Sequence, residues 1–269
     1  MQQKQEPLKI TSRENRWIKL AIRLREKKYR EQENAFWLEG ERAAEELLHH
    51  WDDVLLLLMT EEKWEKWKTV LPGSCVSRVA LLPEKLAQQV SAAETFSGVG
   101  AIVRLKHWDR EAVFRKKGTL LYLDHIADPG NVGTMIRTAL ALNVDGILLS
   151  PGSVDPFNPK VVRSAMGMLL SLPVFVQVSA AELEETAQNY GFHITGATLK
   201  ENSEVHFLHR FASPQILVIG SEAFGISDEI DRICHDYVKI PINFRAESLN
   251  AAVACGILLA EINRQQGIK

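Results

Sequence analysis

Three short stretches of this 269-residue chain carry side chains suited to chemistry, each where an apolar run gives way to a helix-forming one. The first is Asn131-Val-Gly133-Thr-Met-Ile-Arg137. Gly133 and Arg137 are four residues apart and share a helix face, away from the stripe Val132, Ile136 and Leu140. A residue without a side chain next to a guanidinium leaves room for a phosphate or ribose against the backbone. The same residues also suit an ordinary helix start, with Asn131 as N-cap, Gly133 for packing and Arg137 on the surface. The second stretch, Val218-Ile219-Gly220-Ser221-Glu222-Ala223-Phe224-Gly225-Ile226-Ser227, is a glycine-bracketed turn around a carboxylate, followed by a helix with Ser227 as its expected cap. The third is Ile240-Pro241-Ile242, then Glu247-Ser248-Leu249-Asn250, and a small-residue helix with Ala251, Ala252, Ala254, Cys255 and Gly256. Ser248 is its natural N-cap. Asn250 has less reason to precede so apolar a helix.

Other chemistries find little support. There is no GxxxxGK phosphate loop and no GxGxxG dinucleotide fingerprint, which disfavours a nicotinamide-dependent oxidoreductase. The pair Gly98-Val99-Gly100 lacks a third glycine and reads as a turn entering a strand. The eight histidines show no HExxH and no ligand spacing with the cysteines, so no metal is expected and all eight read as structural or surface groups. No G-x-S-x-G elbow supports nucleophilic hydrolysis.

The elements that must position the three stretches form a βα series. Strands are expected at 119–124, 146–150, 173–178, 192–197, 215–220 and 237–240. Helices are expected at 132–142, 159–170, 180–190, 226–232 and from 248 to about 264. Such alternation gives an α/β fold with a mostly parallel sheet and helices on both faces, and ligands then bind beyond the carboxyl ends of the strands. Ahead of it the pattern reads helix 13–31, strand 36–39, helix 41–50, strand 54–59, helix 61–68 and strands near 75–80 and 99–105, a small N-terminal α/β domain.

Composition separates the same two parts. The net charge of −2 hides an N-terminal stretch, residues 1–30, with ten Lys+Arg against three Glu. All six tryptophans lie at or before Trp108, and twelve of the sixteen glycines follow residue 110. The expected organisation is a domain over 1–106, a polar linker over 107–118 and a second domain over 119–269. Arg13, Arg16, Lys19, Arg23, Lys27, Lys28 and Arg30, interleaved with aromatics, suit phosphate contact, though a solvated helix face would look similar. No apolar run reaches the ~18 residues of a membrane span. Met1 to Pro7 lack the apolar core of a secretory signal. An odd set of cysteines, Cys75, Cys234 and Cys255, without CxxC spacing suits reduced thiols and a cytoplasmic protein.

Taken in order, the three stretches resemble the three motifs of the SpoU-type (TrmH-like) RNA ribose 2′-O-methyltransferases of the SPOUT superfamily. Ser12-Arg13-Glu14-Asn15 and Phe36-Trp37-Leu38-Glu39-Gly40 are similar to that family's RNA-binding domain. Two positions depart from the usual second motif: Ser221 stands where Asn is frequent and Ala223 where Gly is frequent. The resemblance implies a deep C-terminal trefoil knot, a rare exception to the unknotted rule. It implies S-adenosylmethionine held at Gly220, Ile240 and Leu249, with Leu199, Ser221 and Gly225 beside them, and homodimerisation through the C-terminal domain. It implies RNA as substrate, ribosomal RNA first and transfer RNA as the alternative; a non-catalytic RNA-binding protein on the same fold is the other reading. The family's proposals make the arginine matching Arg137 a base. A guanidinium with pKa above ~12 suits that role poorly, so Arg137 is expected to clamp the neighbouring phosphate while Asn131, Glu222, Ser248 and Asn250 orient the hydroxyl and the arginine.

Overall fold

The computed structural model describes residues 6–267, so the part of the N-terminal reading that rests on Met1–Gln5 lies outside them. The chain forms two compact units.

The first unit runs through β1 (Leu8–Lys9), α1 (Arg16–Arg23), α2 (Lys27–Glu33), β2 (Ala35–Glu39), α3 (Glu41–Glu46), β3 (Val54–Thr60), α4 (Glu61–Trp67), β4 (Val79–Leu82), α5 (Glu84–Val90) and β5 (Val99–Arg104). Its sheet has the order β1-β4-β3-β5-β2, parallel at β1/β4 and β3/β4 and antiparallel at β3/β5 and β2/β5. Ile18, Ala21 and Leu24 pack with Trp37, Leu58 and Ile102 in its core. The helix expected over 13–31 is two helices. The Arg30 guanidinium donates to the carbonyls of Leu24 (2.9 Å) and Arg25 (2.8 Å), which have lost their helical partners at the break. Gly98, at φ +87°, makes the expected turn. Gly100 serves packing instead: a Cβ there would lie 2.4 Å from Trp37 Cζ2.

The second unit contains α6 (Arg110–Phe114), β6 (Thr119–Leu123), α7 (Pro129–Ala141) and β7 (Gly146–Leu149). After α8 (Pro159–Ala165), it continues with β8 (Val174–Phe175), α9 (Ala180–Tyr190), β9 (His193–Ala197), β10 (Glu204–Val205), β11 (Gln215–Ile219), α10 (Asp228–Asp231), β12 (Asp236–Lys239) and α11 (Ala251–Gln265). The sheet order is β10-β12-β9-β11-β6-β7-β8, and its paired strands run parallel. The expected α/β architecture is present.

Two boundaries depart from the linear reading. The 107–118 stretch is no plain linker, because Val113 and Phe114 of α6 join the core of the second unit. Phe157–Leu170 groups with the first unit. Within that unit the Phe157 and Phe36 rings lie 5.2 Å apart. The helix expected over 159–170 also stops early, at Ala165, where Met166 (φ +50°) and Gly167 (φ +89°) turn left-handed. A Cβ on Gly167 would meet Ala43 Cα at 3.1 Å, so this turn suits a residue without one.

Candidate active site

The path of the chain changes direction between two neighbouring strands. From β6 it crosses by α7 to β7, while from adjacent β11 it leaves by α10 toward β12 on the other side. A crevice opens beyond the carboxyl ends of strands at such a reversal. The first and second sequence stretches enter there, and the third arrives at the start of α11.

Helix α7 begins earlier than expected. Asp128 is its N-cap, accepting from the Asn131 N–H at 2.7 Å, and Pro129 occupies its first turn. The Asn131 side chain is thereby released from capping. Its Nδ2 donates to Glu222 Oε1 at 3.2 Å, and its Oδ1 accepts from Asn250 Nδ2 at 2.9 Å. Asn250 Nδ2 also donates to Glu222 Oε1 at 2.7 Å, and the Ala251 N–H reaches the same oxygen at 3.0 Å. The cap of α11 is Asn250, not Ser248, since Asn250 Oδ1 accepts from Ala252 N–H and Val253 N–H at 3.1 and 3.2 Å. One amide therefore starts a helix and joins the three loops. This answers why Asn250 precedes an apolar helix. Ser227 precedes α10 without a side-chain cap; its N–H donates to Asp124 Oδ2 at 2.7 Å.

A cavity of about 280 Å³ lies at the ends of β9, β11 and β12. Gly220, Ser221, Gly225, Ile240, Leu249 and Leu199 line it, together with Ser248 and Glu222. A Cβ on Gly220 would fall 2.2 Å from Gly225 C, because the turn folds back on itself through a Ser221–Gly225 bridge. Close backbone approach thus explains Gly220, and the left-handed φ of +70° explains Gly225. A second cavity of about 630 Å³ shares the wall of Ser221, Glu222, Gly225 and Ala251, and is lined further by Asn131, Asp128, His125 and Phe224. Phe224 is 91% exposed. Gly133 is buried in α7, and Arg137 is exposed six residues beyond Asn131, about 9 Å along the axis.

Asp124 and His125 escaped the sequence reading. Neighbours on a strand point to opposite faces, so an Asp-His pair in sequence gives no reason to expect contact. Here β6 ends at Leu123 and His125 turns left-handed at φ +54°, which brings its Nδ1 to 2.7 Å from Asp124 Oδ1.

In the first unit Arg13, Arg16, Lys19, Arg23, Lys27 and Lys28 are exposed. Arg23 lies 4.0 Å over the Tyr29 ring and Arg16 4.9 Å over Trp17. Lys19 pairs with Glu14 at 2.5 Å. Arg30 is the exception to the expected phosphate-contact set: it is buried, its guanidinium spent on the turn between α1 and α2.

Residues 118–260, more than half of the chain, match the family model of the SpoU rRNA methylase family. The chain belongs to the SpoU rRNA methylase family. Residues 15–101 match a second model, the MRM3-like substrate binding domain. An uncharacterized tRNA/rRNA methyltransferase of Synechocystis is 32% identical, with 96% of this chain and 94% of that protein covered. The 23S rRNA (guanosine(2553)-2′-O)-methyltransferase RlmP of Bacillus subtilis is 31% identical, with 93% and 97% covered. The AdoMet-bound rRNA methyltransferase from Sinorhizobium meliloti has a similar structure: TM-score 0.80, 26% identity, 95% and 97% of the two chains covered. The matched span contains the three loops joined by Asn131, Glu222 and Asn250.

Proposed function

We propose that this SpoU-family protein transfers a methyl group from S-adenosylmethionine to a ribose 2′-hydroxyl of ribosomal RNA. The observation that carries the reading is the clasp of Asn131 and Asn250 onto Glu222, which lies on the common wall of two cavities, in a chain whose full-length relatives bear rRNA 2′-O-methyltransferase names. The about 280 Å³ cavity fits the cofactor: its cradle at Gly220 admits no side chain, and Leu199, Ile240, Ile242 and Leu258 offer apolar walls for an adenosine. When bound, S-adenosylmethionine supplies a methyl group on a positively charged sulfur. The chain supplies alignment. Gly220, Ile240 and Leu249 hold the adenosine end, with Leu199, Ser221 and Gly225 around it. The clasp fixes the Asn131 amide toward the neighbouring cavity, where the acceptor ribose is received, and Ser248 borders the methyl-donor side. Arg137 holds the adjoining phosphate, lowering the cost of charge on the ribose oxygen.

The unit containing residues 6–107 grips the RNA, through Arg13, Arg16, Lys19, Arg23, Lys27 and Lys28. Its match to a substrate-binding model and its exposed, aromatic-flanked cations support this role. The second unit is the methyltransferase, knotted as a deep trefoil where the 240–250 segment reaches α11, and paired with a second copy through α11. Val253 on α11 is 52% exposed and Phe244 ahead of it 89%, apolar surface consistent with a partner. Cytoplasmic location is consistent with three free cysteines, two of them buried.

The test compares ribosomal RNA from cells with and without the protein for ribose positions resistant to alkaline cleavage. One resistant position lost on deletion establishes the activity and its target. A lost position in transfer RNA instead would move the substrate. An unchanged map, with RNA binding retained, would make the protein a non-catalytic binder.

A further inference from the structure

Alignment and charge stabilisation leave one requirement of this reaction unassigned, the acceptor of the hydroxyl proton. Arg137 is a permanent cation, and the amides of Asn131 and Asn250 are not bases. Glu222 Oε1 already accepts from three donors, so that oxygen is engaged in the clasp and not in the acceptor's proton.

His125 has the required features. Its Nδ1 lies 2.7 Å from Asp124 Oδ1, and the other oxygen of that carboxylate accepts from the Ser227 N–H at 2.7 Å. Asp124 is 1% exposed and held as an acceptor on both oxygens, so the imidazole proton belongs on Nδ1 and the lone pair on Nε2. The backbone is pinned as well: the His125 N–H donates to Ser150 Oγ at 2.8 Å, and Ser150 Oγ in turn donates to the Pro151 carbonyl. The left-handed backbone of His125 is unfavourable for a residue with a Cβ, and strain of this kind persists only where the surroundings enforce it. Gly152 makes room for the ring, since a Cβ there would stand 3.1 Å from His125 Cδ2. The ring itself is open to the cavity, with 55% of its side chain exposed, and lines it with Asn131 and Glu222. A base oriented by a buried carboxylate and opening onto the reacting hydroxyl is the arrangement that activates hydroxyl nucleophiles generally.

We propose that His125, oriented by Asp124, is the catalytic residue that takes the proton of the acceptor 2′-hydroxyl; the assignment rests on the methyl-transfer reading above. The O–H bond breaks and its proton passes to Nε2. The oxygen pair forms the O–CH₃ bond while the C–S bond breaks, leaving its pair on sulfur and cancelling the sulfonium charge. The proton on Nε2 then leaves to water. The other charged groups lining the cavity are Asp128 before α7 and Glu222 after β11, which with Asp124 are all acidic.

The test uses the full chain and RNA from cells lacking the protein, in single-turnover methylation across pH 5.5–9. For the wild type, the rate rises tenfold per pH unit in acid and levels at higher pH, as one general base must be unprotonated for transfer. His125→Asn keeps a residue that tolerates a left-handed backbone but cannot reach. It lowers the plateau by ~10²–10⁴-fold and abolishes that limb, while cofactor and RNA affinities stay within twofold. His125→Gln behaves alike. Long-range ¹H–¹⁵N spectra of the free protein, with His125 assigned by its loss in the variant, show the Nδ1–H tautomer. An unchanged rate and pH limb in both variants, or an Nε2–H tautomer, overturns the proposal while the methyl-transfer reading stands. A wild type that transfers no methyl group overturns both.

Discussion

Asn250 performs two tasks that substitution can separate. Its Oδ1 caps α11, and its Nδ2 donates to Glu222 and Asn131. Asn250→Ala removes both, and loss of such a cap costs ~1 kcal/mol. In a protein of this size that lowers the unfolding midpoint by ~2–4 °C. Asn250→Asp keeps the cap, because Asp and Asn are equivalent there, but sets a carboxylate oxygen where a donor now lies 2.7 Å from Glu222 Oε1. Two charges at ~4 Å repel by ~1–4 kcal/mol over the effective dielectrics of a protein surface, and exposure of Glu222 places this pair near ~1 kcal/mol. The two variants thus lose similar stability for different reasons. Only the Asp variant should recover it when Glu222→Gln is added, which restores one donor and one acceptor to the pair. Methylation responds differently. In both single variants Asn131 Oδ1 loses its donor, and a misdirected amide costs ~10²-fold in rate. The assay is thermal unfolding of the wild type, the two Asn250 variants, Glu222→Gln and the two double variants, combined with kcat/KM on the same RNA. An Asn250→Asp protein as active as the wild type, or a double-mutant coupling below ~0.3 kcal/mol, would refute the clasp as a working unit.

Three further outcomes test other parts of the molecule. Gly220→Ala forces the folded-back turn apart, since its Cβ would lie 2.2 Å from Gly225 C, and calorimetry should show cofactor affinity reduced at least ~10-fold with RNA affinity retained. Arg137→Ala should abolish methylation with little change in cofactor affinity; full retained activity would remove Arg137 from the reaction. Hydrogen bonds from Arg264, then Gln265, hold the Glu261 carboxyl down to about 2 from the ordinary 4.5. Its ionised form is favoured by folding, so its contribution is complete above that ordinary value and is lost as pH falls from 4.5 toward 2. Glu261→Gln should therefore lower the unfolding midpoint at pH 7 and flatten its decline in acid.

Helix ends show where sequence reasoning reached its limit. Alternating apolar strands and striped helices were legible because burial imposes its period on the sequence, and β6, β9, β11 and α9 fall close to their expected bounds. The caps were not. Ser248 and Asn250 both suit a helix start, and the choice between them depended on Glu222, distant in sequence, accepting from the Ala251 N–H. Asp128 took the cap of α7 from Asn131 because Pro129 is pre-set for the first helical turn.

The basic N-terminus illustrates the same limit in electrostatics. Net charge counts Arg30 equally with Arg13, yet a guanidinium can also satisfy backbone carbonyls, and at the break between α1 and α2 it does. Linear charge density therefore overstated the exposed cations by a residue that serves the fold. The reverse holds in the cavity that His125 lines, where the sequence reads histidine as structural or surface for want of a ligand or triad spacing. A dyad made from adjacent residues needs no spacing. It needs one strained backbone angle, and φ +54° at His125 supplies it. The residues that sequence could not place are those whose role is fixed by a backbone conformation, not by side-chain periodicity.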